Sequence, residues 1–194
     1  MTRTFLSIIA AATIVSAATA VFAQPPAPAP APAPVPIACP AVADAGAPAV
    51  PSQHIFCGDV RVPGGGAPNV AGGFHSRPNG LNPNTYAALG GTAVAVPAGA
   101  PAGIYTITNF QLTVGGNVAV KAISTMFPDN CSRAQVVASI RNAAPAPVGG
   151  LLPNGVHVGL SGATPAHCRD NAGNAFNVRV VVGGNQIITA YPAY

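Results

Sequence analysis

Residues 110–124 read Phe110-Gln111-Leu112-Thr113-Val114-Gly115-Gly116-Asn117-Val118-Ala119-Val120-Lys121-Ala122-Ile123-Ser124. Phe110, Leu112 and Val114 alternate with Gln111 and Thr113, the two-residue period of a strand with one buried face. Gly115-Gly116-Asn117 is turn chemistry, because a tight hairpin needs residues that tolerate positive φ. A second strand over 118–124 then folds back on the first. Further on, Ser132 followed by Gln135 has the spacing of a capping box. Val136, Val137, Ile140 and Ala144 give the helix that it opens one apolar stripe, and Pro145 stops it. Two more strands, 175–182 and 186–191, are joined through Gly183-Gly184-Asn185. Hairpins at both ends of one helix predict an α+β fold with an antiparallel sheet packed on few helices.

Upstream of residue 110 the periodic signal fades. Gly and Pro are dense, so residues 58–103 are expected to be mostly loops and turns, with a short helical turn at 84–89. Gly64-Gly65-Gly66 follows Pro63 and opens no periodic helix, so it is a loop and not a phosphate cradle. The chain from 39 to 194 is long enough for one ordinary domain.

The N-terminal part has a different character. Residues 25–36 alternate Pro and Ala almost perfectly, which leaves nothing to bury, so 24–38 is expected to be a disordered, extended Pro/Ala-rich linker. Residues 1–23 read as a signal peptide: Arg3, an uncharged run from Phe5 to Ala23, and a small-x-small ending at Val21-Phe22-Ala23. An uncleaved membrane anchor is the competing reading, since the run is nearly long enough to span. Its richness in Ala, Ser and Thr and the lack of a basic stop-transfer cluster favour cleavage before Gln24. The expectation is a secreted or cell-envelope protein with no stable membrane association after cleavage.

Four cysteines, Cys39, Cys57, Cys131 and Cys168, follow the signal. An even number in an exported chain suggests two disulfides, with three pairings open. A metal site would need short paired spacings such as C-x-x-C, and none occurs, so no metal is expected. A catalytic thiol is the remaining alternative.

Charge is scarce: eight Lys and Arg stand against four acidic residues, for a net charge of +4. That balance is compatible with a polyanionic partner such as RNA, but no basic run makes a nucleic-acid tract. Asp44, Asp59, Asp129 and Asp170 are scattered among turn residues, and there is no Glu. A glycosidase-like carboxylate pair and metal-assisted hydrolysis are therefore poorly supplied. What remains is His54, His75, His157, His167 and a single lysine, Lys121. RNA cleavage by its own 2′-hydroxyl suits such a set. It takes one base, one acid and a fixed cation, and the nucleophile is part of the substrate. Histidines with an ordinary pKa of about 6.5 can exchange protons at neutral pH.

Three stretches carry a resemblance. They are His54-Ile55-x-x-Gly58 with Gly72-Gly73-Phe74-His75-Ser76; Lys121 with Ser124-Thr125-Met126-Phe127-Pro128 and Ser132; and Ile188-Thr189-Ala190-Tyr191-Pro192. In this order, over about residues 54 to 192, they resemble the double-histidine region, the Lys-STFFP-x-x-WS segment and the closing I-T-A-Y-P of the bacterial EndoU nucleases. The resemblance implies an EndoU/barnase-like domain with a loop-rich N-terminal half. It implies His54 and His75 as the acid–base pair, with His75 assigned as base and His54 as acid. Lys121 would stabilise charge on the phosphate, with Arg61 and Arg77 as rival cations. Thr189 would hydrogen-bond the base and Tyr191 would pack on the nucleoside. It further implies cleavage beside uridine, leaving a 2′,3′-cyclic phosphate. A toxin role and a cognate inhibitor protein belong to the same expectation, while a manganese requirement found in some members is not predicted by these residues.

The sequence departs from the family pattern at Cys131, which stands where a Trp is usual, and the chain has no Trp. A disulfide through Cys131 would replace that anchor. Independently of any resemblance, Thr189 and Tyr191 are two apart on a strand and share a face. His157 and His167 match no motif and are assigned to structure. Two other functions compete: a non-enzymatic secreted or surface protein on an inactive scaffold, and an exported hydrolase using a Cys–His pair.

Overall fold

The computed structural model describes residues 35–40 and 43–194. The signal-peptide segment and most of the Pro/Ala linker lie outside the described residues. Residues 110–124 form the expected hairpin: β4 (Tyr105–Val114) pairs antiparallel with β5 (Asn117–Met126), with Val114 opposite Asn117. Gly115 and Gly116 both have positive φ, 58° and 78°, the requirement of a two-residue turn matched to strand twist. The capping box is present, with Ser132 Oγ accepting from the Gln135 N–H and Gln135 Oε1 accepting from the Ser132 N–H. The helix it opens, Arg133–Ala143, buries Val136 and Ile140 as the stripe predicts. The C-terminal pair is Asn177–Gly183 with Gln186–Pro192, turned through Gly184 and Asn185 at φ 57° and 61°.

The loop-rich half contains more regular structure than expected. A six-residue helix α1 (Ser52–Cys57) leads into β1 (Asp59–Arg61), which pairs with β2 (Val70–Gly72). The helical turn expected at 84–89 is instead the start of a strand, β3 (Tyr86–Ala95), on the edge of β4. Its sequence is mostly Ala and Gly, so little side chain marks it as a strand. Its register with β4 shifts between Ala88 and Ala93, where Gly90 and Gly91 make an irregularity. One further strand, β6 (Gly155–Leu160), was not among those expected. Its Val156, Val158 and Leu160 face outward, while Gly159 lies against the Ala143 backbone, where a Cβ would overlap. With the helix 133–143 as α2 and the C-terminal strands as β7 and β8, the antiparallel pairing is divided over three sheets: β1-β2, β3-β4-β5 and β6-β7-β8.

Two apolar clusters hold these parts together. Ile55, Phe56, Phe127, Val136, Ile140, Phe176, Val178 and Val180 form the larger, joining α1, α2 and the C-terminal sheet. Phe74, Tyr105, Ile107, Phe110, Leu112 and Met126 form the smaller, beneath the β4–β5 hairpin. Of the three disulfide pairings, the structure has Cys39–Cys57 and Cys131–Cys168. The first ties the end of α1 to the N-terminal segment. The second ties Cys131, just ahead of the Ser132 cap of α2, to the loop preceding β7, and its cysteines belong to the larger core. No helix among the described residues is long and apolar enough to cross a membrane.

Candidate active site

The site begins where α1 ends. Gly58 adopts φ 74° and turns the chain straight into β1, so Asp59 returns beside His54. A side chain at position 58 would overlap Leu112. His54 Nδ1 lies 2.7 Å from Asp59 Oδ2. That hydrogen bond holds the Asp59 carboxyl below its ordinary pKa, against the opposing effect of burial. An ionised carboxylate only accepts, so Nδ1 of His54 carries a proton and Nε2 is the nitrogen left for other partners.

The second histidine sits on a strained segment. Gly73 and Phe74 have φ 64° and 58°. A Cβ on Gly73 would overlap the His54 carbonyl oxygen, so only glycine lets this segment approach α1. An aromatic residue at positive φ costs on the order of 1–3 kcal/mol. Phe74 is held there by its N–H donating to His54 O at 2.7 Å and by full burial against Tyr86 and Phe110. The next residue, His75, donates its N–H to Ile55 O and accepts from the Phe127 N–H, each at 2.7 Å. Its position is therefore fixed by α1 on one side and by the end of β5 on the other.

The His75 ring is 8% exposed and its centroid is 6.0 Å from that of His54. Its Nδ1 is 3.0 Å from the Thr125 carbonyl oxygen. A carbonyl only accepts, so Nδ1 bears the proton and Nε2 keeps its lone pair. Burial, reinforced by the nearby Lys121 charge, pushes the imidazole pKa well below its ordinary value. His75 is consequently a neutral imidazole at pH 7 with an unprotonated Nε2.

Lys121, on β5 opposite Phe110, reaches the same place. Its Nζ donates to the Gly73 carbonyl and lies 3.2 Å from Ser124 Oγ, which is itself 3.0 Å from His75 Nδ1. Burial pushes the ammonium pKa down to about 8, partly offset by Asp59. Ser124 donates to Phe74 O at 2.6 Å, so one hydroxyl braces the lysine, the strained segment and His75. The rival cation Arg77 is engaged elsewhere, with Asp129 at 2.9 Å and the Tyr105 hydroxyl at 2.9 Å.

β8 brings two further residues to this cluster. Tyr191 stacks on His75, with ring centroids 5.2 Å apart and planes 26° apart. Thr189 lies two residues earlier on the same face, and its Oγ1 is buried without a hydrogen-bond partner. Ser76 Oγ, next to His75, is buried without a partner in the same way. His157 bonds the Pro153 carbonyl and His167 bonds Thr164; neither joins the cluster. All four cysteines are in disulfides, which removes the Cys–His alternative. A cavity of about 590 Å³ lies elsewhere, lined by residues such as Pro48, Pro51, Leu152 and Ile187 with no titratable group, so size does not mark the chemistry here.

The family model described as bacterial EndoU nuclease matches residues 50–194. The chain belongs to the bacterial EndoU nuclease family. No curated protein and no solved structure matches it. EndoU membership makes nucleic acid the substrate class and a nuclease the general function. Within this EndoU domain two residues of the cluster escaped the sequence reading. By sequence Asp59 reads as turn chemistry, and only its five-residue spacing from His54 across Gly58 hints at pairing. Ser124 lies in the Ser124–Pro128 stretch, and its partners Gly73, Phe74 and His75 are about 50 residues away in sequence.

Proposed function

We propose that the chain is an endoribonuclease that cleaves single-stranded RNA, at uridine, by attack of the 2′-hydroxyl on the adjacent phosphorus. His75 Nε2 takes the 2′-OH proton as O2′ bonds to phosphorus. The bond to the departing 5′-oxygen then breaks, that oxygen takes a proton from His54 Nε2, and a 2′,3′-cyclic phosphate remains. Lys121 supplies positive charge to the phosphoryl oxygens in the pentacovalent transition state. Thr189 Oγ1 bonds the uracil and Tyr191 packs on the nucleoside. The observation that carries this reading is the complementary dress of two adjacent imidazoles. His75 is neutral with its proton directed to a carbonyl, while His54 has a carboxylate to balance the charge of its doubly protonated form.

The same reading places the protein outside the cytoplasm. Two disulfides fit an oxidising compartment, and residues 1–23 have the pattern of an export signal. A toxin role, with a cognate inhibitor protein, is part of the proposal. So is the division into signal 1–23, linker 24–38 and nuclease domain 39–194.

The test is to incubate oxidised, signal-free protein with end-labelled RNA in excess EDTA, beside His75→Ala protein. Cleavage by the wild type alone, leaving 2′,3′-cyclic phosphate ends, is expected. Silence in EDTA and again with added manganese would move the chain to the inactive-scaffold reading.

A further inference from the structure

Strand order places one unassigned cation beside Tyr191. In the sheet β6-β7-β8, β8 packs toward α1 and β5 on one side and hydrogen-bonds β7 on the other. Arg179 on β7 is the cross-strand partner of Tyr191. It therefore lies on the same face of the sheet, one strand further from the histidines. Its guanidinium carbon is 5.9 Å from the centre of the Tyr191 ring, and its side chain is exposed. Among the described residues it has no ion-pair or hydrogen-bond partner, in contrast to Arg77 and Arg141, which are bound to Asp129 and Asp44. The chain spends few charges, and this one stands uncompensated against the Tyr191 ring.

We infer that Arg179 is a second phosphate subsite, taking the phosphate on the 5′ side of the nucleotide whose 2′-hydroxyl attacks. The inference rests on the proposed endoribonuclease reading. With that nucleoside on Thr189 and Tyr191, its 3′-phosphate lies at His54, His75 and Lys121. In the inferred arrangement the chain leaving its 5′ side runs away from the histidines, across β8 toward β7, where Arg179 lies. A planar guanidinium, with five donors and no acceptor, suits a phosphodiester oxygen there. Its contact with the tyrosine ring holds it in place without neutralising it. The subsite makes the enzyme favour internal positions in a strand over a free 5′ end.

The experiment compares uridylyl-(3′→5′)-uridine with and without a 5′-phosphate. For wild-type protein the phosphate is expected to raise kcat/KM about fivefold, the worth of one exposed charge-assisted contact. Arg179→Ala should abolish that gain yet cleave the unphosphorylated dinucleotide as the wild type does. Arg179→Lys should retain part of it. Arg169→Ala, which removes the same charge beside Asn130 and His167, should keep it whole. On a longer RNA, Arg179→Ala should reduce the slope of log affinity against log salt by about 0.7. A gain that survives Arg179→Ala overturns the inference, as does an equal loss on both dinucleotides, which would make Arg179 a support for Tyr191. Binding of the same pair with a 2′-deoxy sugar at the first position is measured in parallel. If the wild type cleaves nothing, the nuclease reading falls, and phosphate-dependent binding lost in Arg179→Ala still decides the subsite.

Discussion

His54 Nδ1 and Asp59 Oδ2 are 2.7 Å apart across a single turn made by Gly58. The pair places a carboxylate behind one imidazole while the other, His75, is backed by a carbonyl. In the proposed mechanism this asymmetry divides the roles of acid and base. Asp59→Asn retains an acceptor for the Nδ1 proton but removes the negative charge. Its kcat on RNA should fall roughly 10- to 100-fold, short of the roughly 10²–10⁴-fold contribution of a general acid that His54→Ala removes outright. The Asp59 side chain is half exposed, so the thermal midpoint should move little. Unchanged kcat in the Asn variant would dismiss the pairing as surface decoration.

Lys121 sets the alkaline limit. With its pKa brought down to about 8 by burial, it loses charge as pH rises through that value, and kcat/KM should fall there. Lys121→Arg should carry activity to higher pH. The acid limb, where His75 gains a proton, should lie below pH 6.5, because its pKa is depressed. Stability has the corresponding sign. Between the folded value of about 8 and the ordinary value of 10.5, the unfolded chain binds a proton that the folded chain does not. Stability therefore rises with pH across that window, and the cost of the buried charge is fully present below it. Urea midpoints measured from pH 7 to 10.5 should rise less in Lys121→Gln than in the wild type. At pH 7 that variant should be inactive and more stable, by about 1 kcal/mol. Parallel midpoint curves would show that Lys121 is not buried as a cation.

Much of this was readable from residues 110 onward because side chains there report their surroundings. The alternation of Phe110, Leu112 and Val114 and the Ser132–Gln135 box each force one local structure, and each formed. β3 was not readable because it is mostly Ala and Gly, with little side chain to report its surroundings. β6 does alternate Val156, Val158 and Leu160 with His157 and Gly159, but the apolar residues face outward, so the period is present while the burial it suggests is inverted. In the site, the histidines and Lys121 stood out by rarity, and Thr189 and Tyr191 by spacing on a strand. Asp59 and Arg179 did not. Their neighbours, His54 and Tyr191, are brought to them by a glycine turn and by cross-strand register, which a linear reading does not contain.

The Cys39–Cys57 disulfide should matter for activity as well as for stability. Cys57 is the last residue of α1, one turn beyond His54, and its bond to Cys39 closes a separation of 18 residues. Loss of such a bond costs about 3 kcal/mol in the chain-entropy account. Cys39→Ala/Cys57→Ala should lower the thermal midpoint and, at a temperature where it is still folded, reduce kcat by loosening the His54–Asp59 pair. The Cys131–Cys168 bond, with a separation of 37, anchors α2 far along the chain from both histidines. Its removal should cost comparable stability with kcat unchanged while the fold persists. Equal kinetic effects of the two double variants would deny α1 any special dependence.

Thr189 offers the sharpest separation of function from stability. A buried hydroxyl without a partner costs about 1–3 kcal/mol relative to a satisfied or apolar group. Valine has the same shape without the hydroxyl, so Thr189→Val should raise the thermal midpoint by about 2–4 °C. The same change deprives the base of its hydrogen bond. Preference for uridine over cytidine in kcat/KM should then drop by about tenfold, while cleavage itself continues through His54 and His75. Thr189→Ser, which keeps the hydroxyl, should keep the preference. A gain in stability with no change in preference would leave the hydroxyl an ordinary packing defect. A loss of stability would mean that it is satisfied within the fold, and that the base is read by other groups.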